Sequence, residues 1–338
     1  MLGPQHYPPL LRYLDGIDLC LTRQLLRPTP ATETTLTQSF VALMDAATQR
    51  LEELPRYNID HLNAALAELG DDLQADIRID TRPHSSYFEA NVSQSDFGLV
   101  LEYQNLTDSR FNWTAAYLMQ AKRLFPAKSG DYDLTSAFDS SDAKQQKRLR
   151  DLAAELGEEA VKYIFYCPPL SGFIAKAGSA IRTYHNFAFG EMIFDYALGL
   201  ALRDAVRDTP GVHAGIWLSG TENPPADTLS VHQSAFAHAH PFSWFVLAHF
   251  QRRSVLGHIT HDFGGARNVG RGGHSPSVAR TREIIDGNPA TCRALIDALG
   301  ERARRADLDT ENIKPLPASS VTITITIRAG SDADHRHL

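Results

Sequence analysis

Asp96 stands one strand and one turn ahead of Gln120-Ala121-Lys122, and no other spacing in this chain carries as much chemistry. Side chains two apart on a strand point to the same face, so Gln120 and Lys122 can both look toward Asp96 while Ala121 packs behind the sheet. A carboxylate, an amide and an ammonium then share one oxygen-lined pocket. A hard cation such as Mg2+ or Mn2+ takes a carboxylate, an amide or backbone carbonyl and several waters. A lysine beside it can position the attacking water, which is chemistry suited to a phosphodiester bond. Asp96 and Gln120 are therefore candidate metal ligands, and Asp96, Gln120 and Lys122 candidate catalytic residues. Arg123, next in the chain, is a candidate contact to substrate.

The elements that must position these residues are legible from periodicity. Leu10, Leu11, Leu14, Ile17, Leu21 and Leu25 predict an amphipathic helix from Tyr7 to about Arg27, closed by Pro28 and Pro30. Thr35 with Gln38 reads as a capping box, and Phe40, Val41, Met44, Ala47 and Leu51 continue a helical stripe to about Leu54. A shorter helix, His61 to Leu69, should stop at Gly70. Strands follow at Ala75 to Asp80, Ser86 to Val92, Asp96 to Tyr103 and Trp113 to Lys122, with a turn over Asn105 to Arg110. A helix over Asp142 to Leu156 and a buried strand over Val161 to Tyr166 complete this half.

That order of elements, with Asp96 opening one strand and Gln120-Ala121-Lys122 closing the next, resembles the PD-(D/E)XK nuclease superfamily. In detail it resembles the Mrr-like branch, in which glutamine replaces the acidic member of the motif to give QxK; here the text is Met119-Gln120-Ala121-Lys122-Arg123-Leu124. The resemblance covers roughly Thr32 to Tyr166. It implies an α/β fold with a restriction-endonuclease-like core, a mixed central β-sheet flanked by helices, and a C-terminal α/β extension. It also implies a metal-dependent endonuclease using Mg2+ or Mn2+, DNA as the substrate and a bacterial restriction or antiphage setting. The superfamily carries an acidic residue on the helix before the sheet, and Glu33 is the positional match. Gln145 and Gln146 resemble the glutamine placed near the scissile phosphate. Ser95 stands where the family has proline, which leaves the metal-binding carboxylate intact. Gln120 removes one negative charge, so Glu33 or Glu89 must compensate, and Glu89 joins the candidate metal ligands.

Histidine offers a rival centre. His232, His238, His240, His249, His258 and His261, with Asp262, fall in one region, and histidine is the commonest metal-ligating side chain. His238 and His240 form an HxH, but no HExxH occurs. The reading this allows is a histidine-metal hydrolase. The run Phe263 to Ser275 is rich in glycine and arginine yet matches neither common phosphate-binding pattern, and there is no GxSxG.

Composition bounds all of these readings. The chain has 338 residues and 43% hydrophobic content, enough for one large core or two ordinary ones. Boundaries are expected near 30 and 169, with an N-terminal helix at 1–30, the core at 31–169, an extension or second domain at 170–330 and a polar tail at 331–338. In the second half, helices are expected over Glu191 to Val206, Phe242 to Arg252 and Asn288 to Arg305, and strands over His213 to Ser219 and Val321 to Arg328. Three cysteines, Cys20, Cys167 and Cys292, lie far apart and read as reduced. No stretch is long and apolar enough to span a membrane, and the first residues lack a signal-peptide pattern, so a cytoplasmic protein is expected. The net charge of −7 means that any contact with DNA must be local. A homodimer or a partner defence protein could supply what the acidic surface does not. A third expectation is therefore a non-catalytic module that binds nucleic acid or a partner on the same fold.

Overall fold

Strand periodicity resolves into one mixed sheet that takes residues from both halves of the chain. The computed structural model describes residues 2–52, 57–69, 73–83, 95–138, 143–192, 215–222, 224–250, 276–305 and 317–329. Across the sheet the order is β1 (Leu73–Pro83), β8 (Ser319–Ala329), β2 (Phe97–Asn105), β3 (Trp113–Phe125), β5 (Val161–Tyr166), β6 (Ile216–Ser219) and β7 (Ala239–Pro241). A short β4 (Ala137–Phe138) pairs with the end of β3. β2 and β3 are antiparallel, with Phe97 opposite Met119 and Tyr103 opposite Trp113. β3 and β5 are parallel, with Gln120 opposite Tyr163 and Lys122 opposite Phe165. Parallel neighbours need a crossover, and α5 (Ala143–Leu156) supplies it.

The C-terminal alternation Val321, Ile323, Ile325, Ile327 forms β8, antiparallel to β1 on one side and parallel to β2 on the other. Residues beyond 169 thus sit inside the sheet that the first half begins. Thr324 on the opposite face is also buried and donates to Glu102 Oε2 at 3.1 Å, so β8 is more enclosed than a strand with one wet face.

Helices cover both faces. Phe97 meets Phe40 of α2 (Glu33–Met44) with ring centroids 5.3 Å apart. A Cβ on the next residue, Gly98, would come within 3.1 Å of Ile285 at the end of α9 (Pro276–Ile285), so glycine lets that helix pack a few tenths of an ångström closer than a side chain would. Alternation along β2 therefore puts α2 on one face and α9 on the other. α1 (Tyr7–Thr22) and α8 (Phe242–Phe250) lie on the α2 face, where Tyr117 of β3 packs against Phe245 at 5.1 Å. α5 packs with α9, α10 (Pro289–Arg305) and β5.

Several boundaries move. α1 ends at Thr22 and a 3-10 turn, Arg23–Leu26, carries the chain to the prolines. The long helix expected from Thr35 to Leu54 is two helices, α2 and α3 (Ala46–Glu52), and its cap is Thr32, whose Oγ1 accepts from Thr35 N at 3.2 Å. The break comes at Asp45. Its Oδ2 accepts from Thr48 N at 2.8 Å and Thr48 Oγ1 at 2.9 Å, while Oδ1 accepts from Thr81 Oγ1 of β1 at 3.0 Å. The side chain caps α3 and ties it to the sheet, a stronger arrangement than one continuous apolar stripe. α4 (Ile59–Ala67) starts two residues before its expected position because Asn58 caps it. Three further helices, α6 (Ala175–Met192), α7 (Thr228–Gln233) and α9, were not expected from the sequence. The strand expected over 86–92, nearly all of the helix expected over 191–206, the run 263–275 and the tail 331–338 lie outside the described residues. Among the described residues no helix is long and apolar enough to cross a membrane.

Candidate active site

The site is built where β3 outruns β2. β2 begins at Phe97 opposite Met119, so the later residues of β3 have no β2 neighbour on that edge. Alternate residues of an antiparallel edge point their N–H groups toward the missing partner, and buried N–H groups need acceptors. Ala121 N donates to Asp96 Oδ2 at 2.8 Å, and Arg123 N donates to Glu33 Oε1 at 3.1 Å. Two carboxylates, one just before β2 and one in the first turn of α2, therefore sit side by side along the overhanging strand. Asp96 is held in turn by its own N–H, which donates to Met119 O at 2.8 Å.

Arg123 fixes the second carboxylate. Its Nη1 donates to Ala31 O at 2.7 Å and Pro30 O at 3.3 Å, and the guanidinium lies 4.1 Å above the Phe125 ring. That anchors the chain entering α2, so Arg123 positions Glu33 rather than reaching outward as the sequence suggested.

Gln120 and Lys122 flank the pair. Gln120 Nε2 also donates to Asp96 Oδ2, and its Oε1 is buried with no partner among the described residues. A buried acceptor left alone costs about 1–3 kcal/mol, so this oxygen is suited to a cation or donor that the described residues do not provide. Lys122 is buried, at 7% exposure. Burial pushes the Asp96 carboxyl up to about 6, and the Glu33 charge pushes in the same direction. Ala121 N, Lys122 and Gln120 pull it back. The anion is thus present near neutrality but under-compensated, as expected of a carboxylate awaiting positive charge. Two carboxylates and an orphaned amide oxygen form a hard-oxygen set that fits Mg2+ or Mn2+, ions that keep several waters. No group of three or more histidine, cysteine or acidic residues that could hold a metal occurs among the described residues.

Beside this cluster lies a cleft of about 610 Å³ between α2, the ends of β1 and β8, and Asp96. Sequence reasoning missed its walls. Asp45, Thr81 and Ser319 line it, and Ser319 lies far beyond the segment that suggested the site. It missed Tyr166 as well. That hydroxyl lies 3.1 Å from Thr37 Oγ1, and burial, then the Asp96 and Glu33 charges, raises its pKa.

Other candidates fall elsewhere. Glu89 and the Gln145 side chain lie outside the described residues. Gln146 is half-buried on α5, and no described hydrogen bond joins it to the Asp96 cluster. Among the histidines, His249 Nε2 lies 2.6 Å from Tyr117 OH and its Nδ1 2.7 Å from Phe245 O. His232 Nδ1 lies 3.0 Å from His185 Nε2. His240 is buried and His238 exposed. Burial, with the nearby charges of His238, Lys162 and His249, holds His240 well below its ordinary value, and an ammonium beside it repels a metal ion. His258, His261 and Asp262 lie outside the described residues.

No family model matches this chain, and no curated protein or solved structure matches it.

Proposed function

We propose that the chain is a metal-dependent nuclease acting on DNA, with its centre at the overhanging edge of β3. The observation that carries this reading is the convergence of Asp96, Glu33, Gln120 and Lys122 on one edge, with an unsatisfied buried amide oxygen among them. Asp96 and Glu33, with Gln120 Oε1, would hold a Mg2+ or Mn2+ ion. Such an ion draws charge from phosphoryl oxygens and lowers the pKa of bound water. Lys122 orients the water and offsets the negative charge that builds on the phosphoryl group. Water adds to phosphorus and gives up a proton to solvent, the P–O bond to the leaving strand breaks, and the leaving oxygen takes a proton from solvent. Arg123 keeps Glu33 in place.

Plasmid and oligonucleotide DNA incubated with Mg2+ or Mn2+, against EDTA, tests this. Cleavage should need the ion and should vanish in Asp96→Ala and Lys122→Ala; cleavage that survives both sinks the assignment. A second reading draws on the same geometry. Asp96 and Glu33 each satisfy a backbone N–H, so they can serve as strand-edge caps in a module that binds nucleic acid or a partner chain without cutting. Binding that persists in EDTA, with no cleavage under any metal, selects it.

A further inference from the structure

The cleft beside Asp96 has the wrong charge for a phosphate backbone. Among the described residues that line it there is no lysine, arginine or histidine, while Asp96 stands at its edge and Asp45 within its wall. Asp45 is a fixed anion. Bonds from the Thr48 backbone and hydroxyl and from Thr81 hold its carboxyl below the usual range. The rest of the lining is hydroxyl and amide groups, such as Thr34, Gln38 and Ser319, set against Val41 and Ala42. At about 610 Å³ it lies within the roughly 300–1,000 Å³ span of small-ligand sites.

We propose that this cleft receives one unpaired nucleobase bearing an amino group, so that the strand cut at the Asp96 centre is single-stranded or has a nucleotide extruded there. A base has a flat apolar body for Val41 and Ala42, and an edge of donors and acceptors for hydroxyls and amides. Its exocyclic amino group, present on adenine, cytosine and guanine but not thymine, donates to a carboxylate such as Asp45. Asp45 Oδ2 is taken up by two bonds from Thr48, while Oδ1, which accepts from Thr81 Oγ1, keeps a second lone pair for the amino group. The strand's phosphates then run outside the cleft, past the buried Lys122. An intact duplex presents its bases stacked and paired, and cannot fill the pocket without unpairing.

This inference rests on the nuclease reading, and the experiment separates the two. Labelled oligonucleotides are offered to the full chain in Mg2+ as a single strand, an intact duplex and a duplex with a one-nucleotide bulge. The unpaired position is occupied by dA, dC, dG, dT or an abasic residue. Single strand and bulge should be cut at least about tenfold faster in kcat/KM than duplex, with the abasic and dT substrates slowest. Asp45→Asn should level the difference between dT and the amino-bearing bases. Because Asp45 also caps α3, Ala42→Trp serves as a second variant; Ala42 is exposed and lines the cleft, so tryptophan there should raise KM about tenfold and leave kcat unchanged. Duplex cut as fast as single strand, or base ranking unaltered in both variants, overturns the inference while leaving the nuclease standing. If nothing is cut under any metal, anisotropy binding of the same oligonucleotides in EDTA decides. A single-strand preference that weakens in Ala42→Trp, with dT levelled against the amino-bearing bases in Asp45→Asn, keeps the cleft and rejects the nuclease; no such preference, or one that neither variant alters, rejects the cleft.

Discussion

Asp96 and Glu33 lie along an open strand edge, whereas His185 and His232 lie across the same sheet against Trp217, with centroids 5.5 and 5.1 Å from that ring. Both clusters contain groups able to bind metals or move protons. Each holds buried polar atoms with no partner among the described residues, Gln120 Oε1 in the first and His185 Nδ1 and His232 Nε2 in the second, but the first also mixes opposite charges and borders a cleft. The second pairs two imidazoles of the same kind, and burial holds both below their ordinary basicity, His185 to about 4. On the proposed function, what sets the first cluster apart is not residue type but uncompensated charge beside a cleft.

The sharpest way to break that contrast is to remove one group from each cluster. Lys122→Ala should lower the rate of metal-dependent cleavage by about a thousandfold, while His232→Gln should leave it within a factor of two or so, on the same gel assay. Next in size is a packing change near the histidines. Phe245→Ala removes the ring against Tyr117 and His249, and should cost about 3–5 kcal/mol in denaturant unfolding without changing metal affinity. Glu33→Gln is smaller and specific to the edge. It removes the charge that adds to burial in raising Asp96, and should weaken Mn2+ binding about tenfold in calorimetry while the fold persists.

The subtlest difference is the sign of two pH slopes. Asp96 titrates near 6 when folded against 3.8 as its ordinary value, so the folded state holds the extra proton and stability falls as pH rises through that window. His185 titrates near 4 when folded against 6.5, so the unfolded state holds the extra proton and stability falls as pH drops through that window. Thermal unfolding between those limits should therefore tilt one way in Asp96→Asn and the other in a His185→Gln/His232→Gln double variant. Two variants with the same tilt would undo the comparison.

Much of the edge cluster was legible because its parts are local. One strand, one turn and one antiparallel strand fix Asp96 against Gln120, and the alternation of Gln120 and Lys122 fixes their shared face. The role of Arg123 was not legible, because its carbonyl partners at Pro30 and Ala31 lie some ninety residues away. The insertion of β8 between β1 and β2 was hidden for the same reason; its period is clear, but its neighbours are set by pairing across the length of the chain. Asp45 is an intermediate case. Asp45 and Thr48 spell a cap, yet the apolar positions on either side favour one long helix until Thr81 is seen to hold the carboxylate. The surroundings of His249 and His232 were not legible either, because their neighbours Tyr117 and Trp217 are aromatic residues brought to them only by the sheet.

The central claim is that the Asp96 edge is a metal-loading centre. Calorimetric titration of the chain with Mn2+, repeated in buffers of different ionisation enthalpy, tests it most directly. One ion per chain should bind, with proton release near pH 6 that fades by about pH 8 as Asp96 becomes fully ionised, and both signals should be lost in Asp96→Ala. No binding, or binding with the same stoichiometry and proton release in Asp96→Ala, would contradict it.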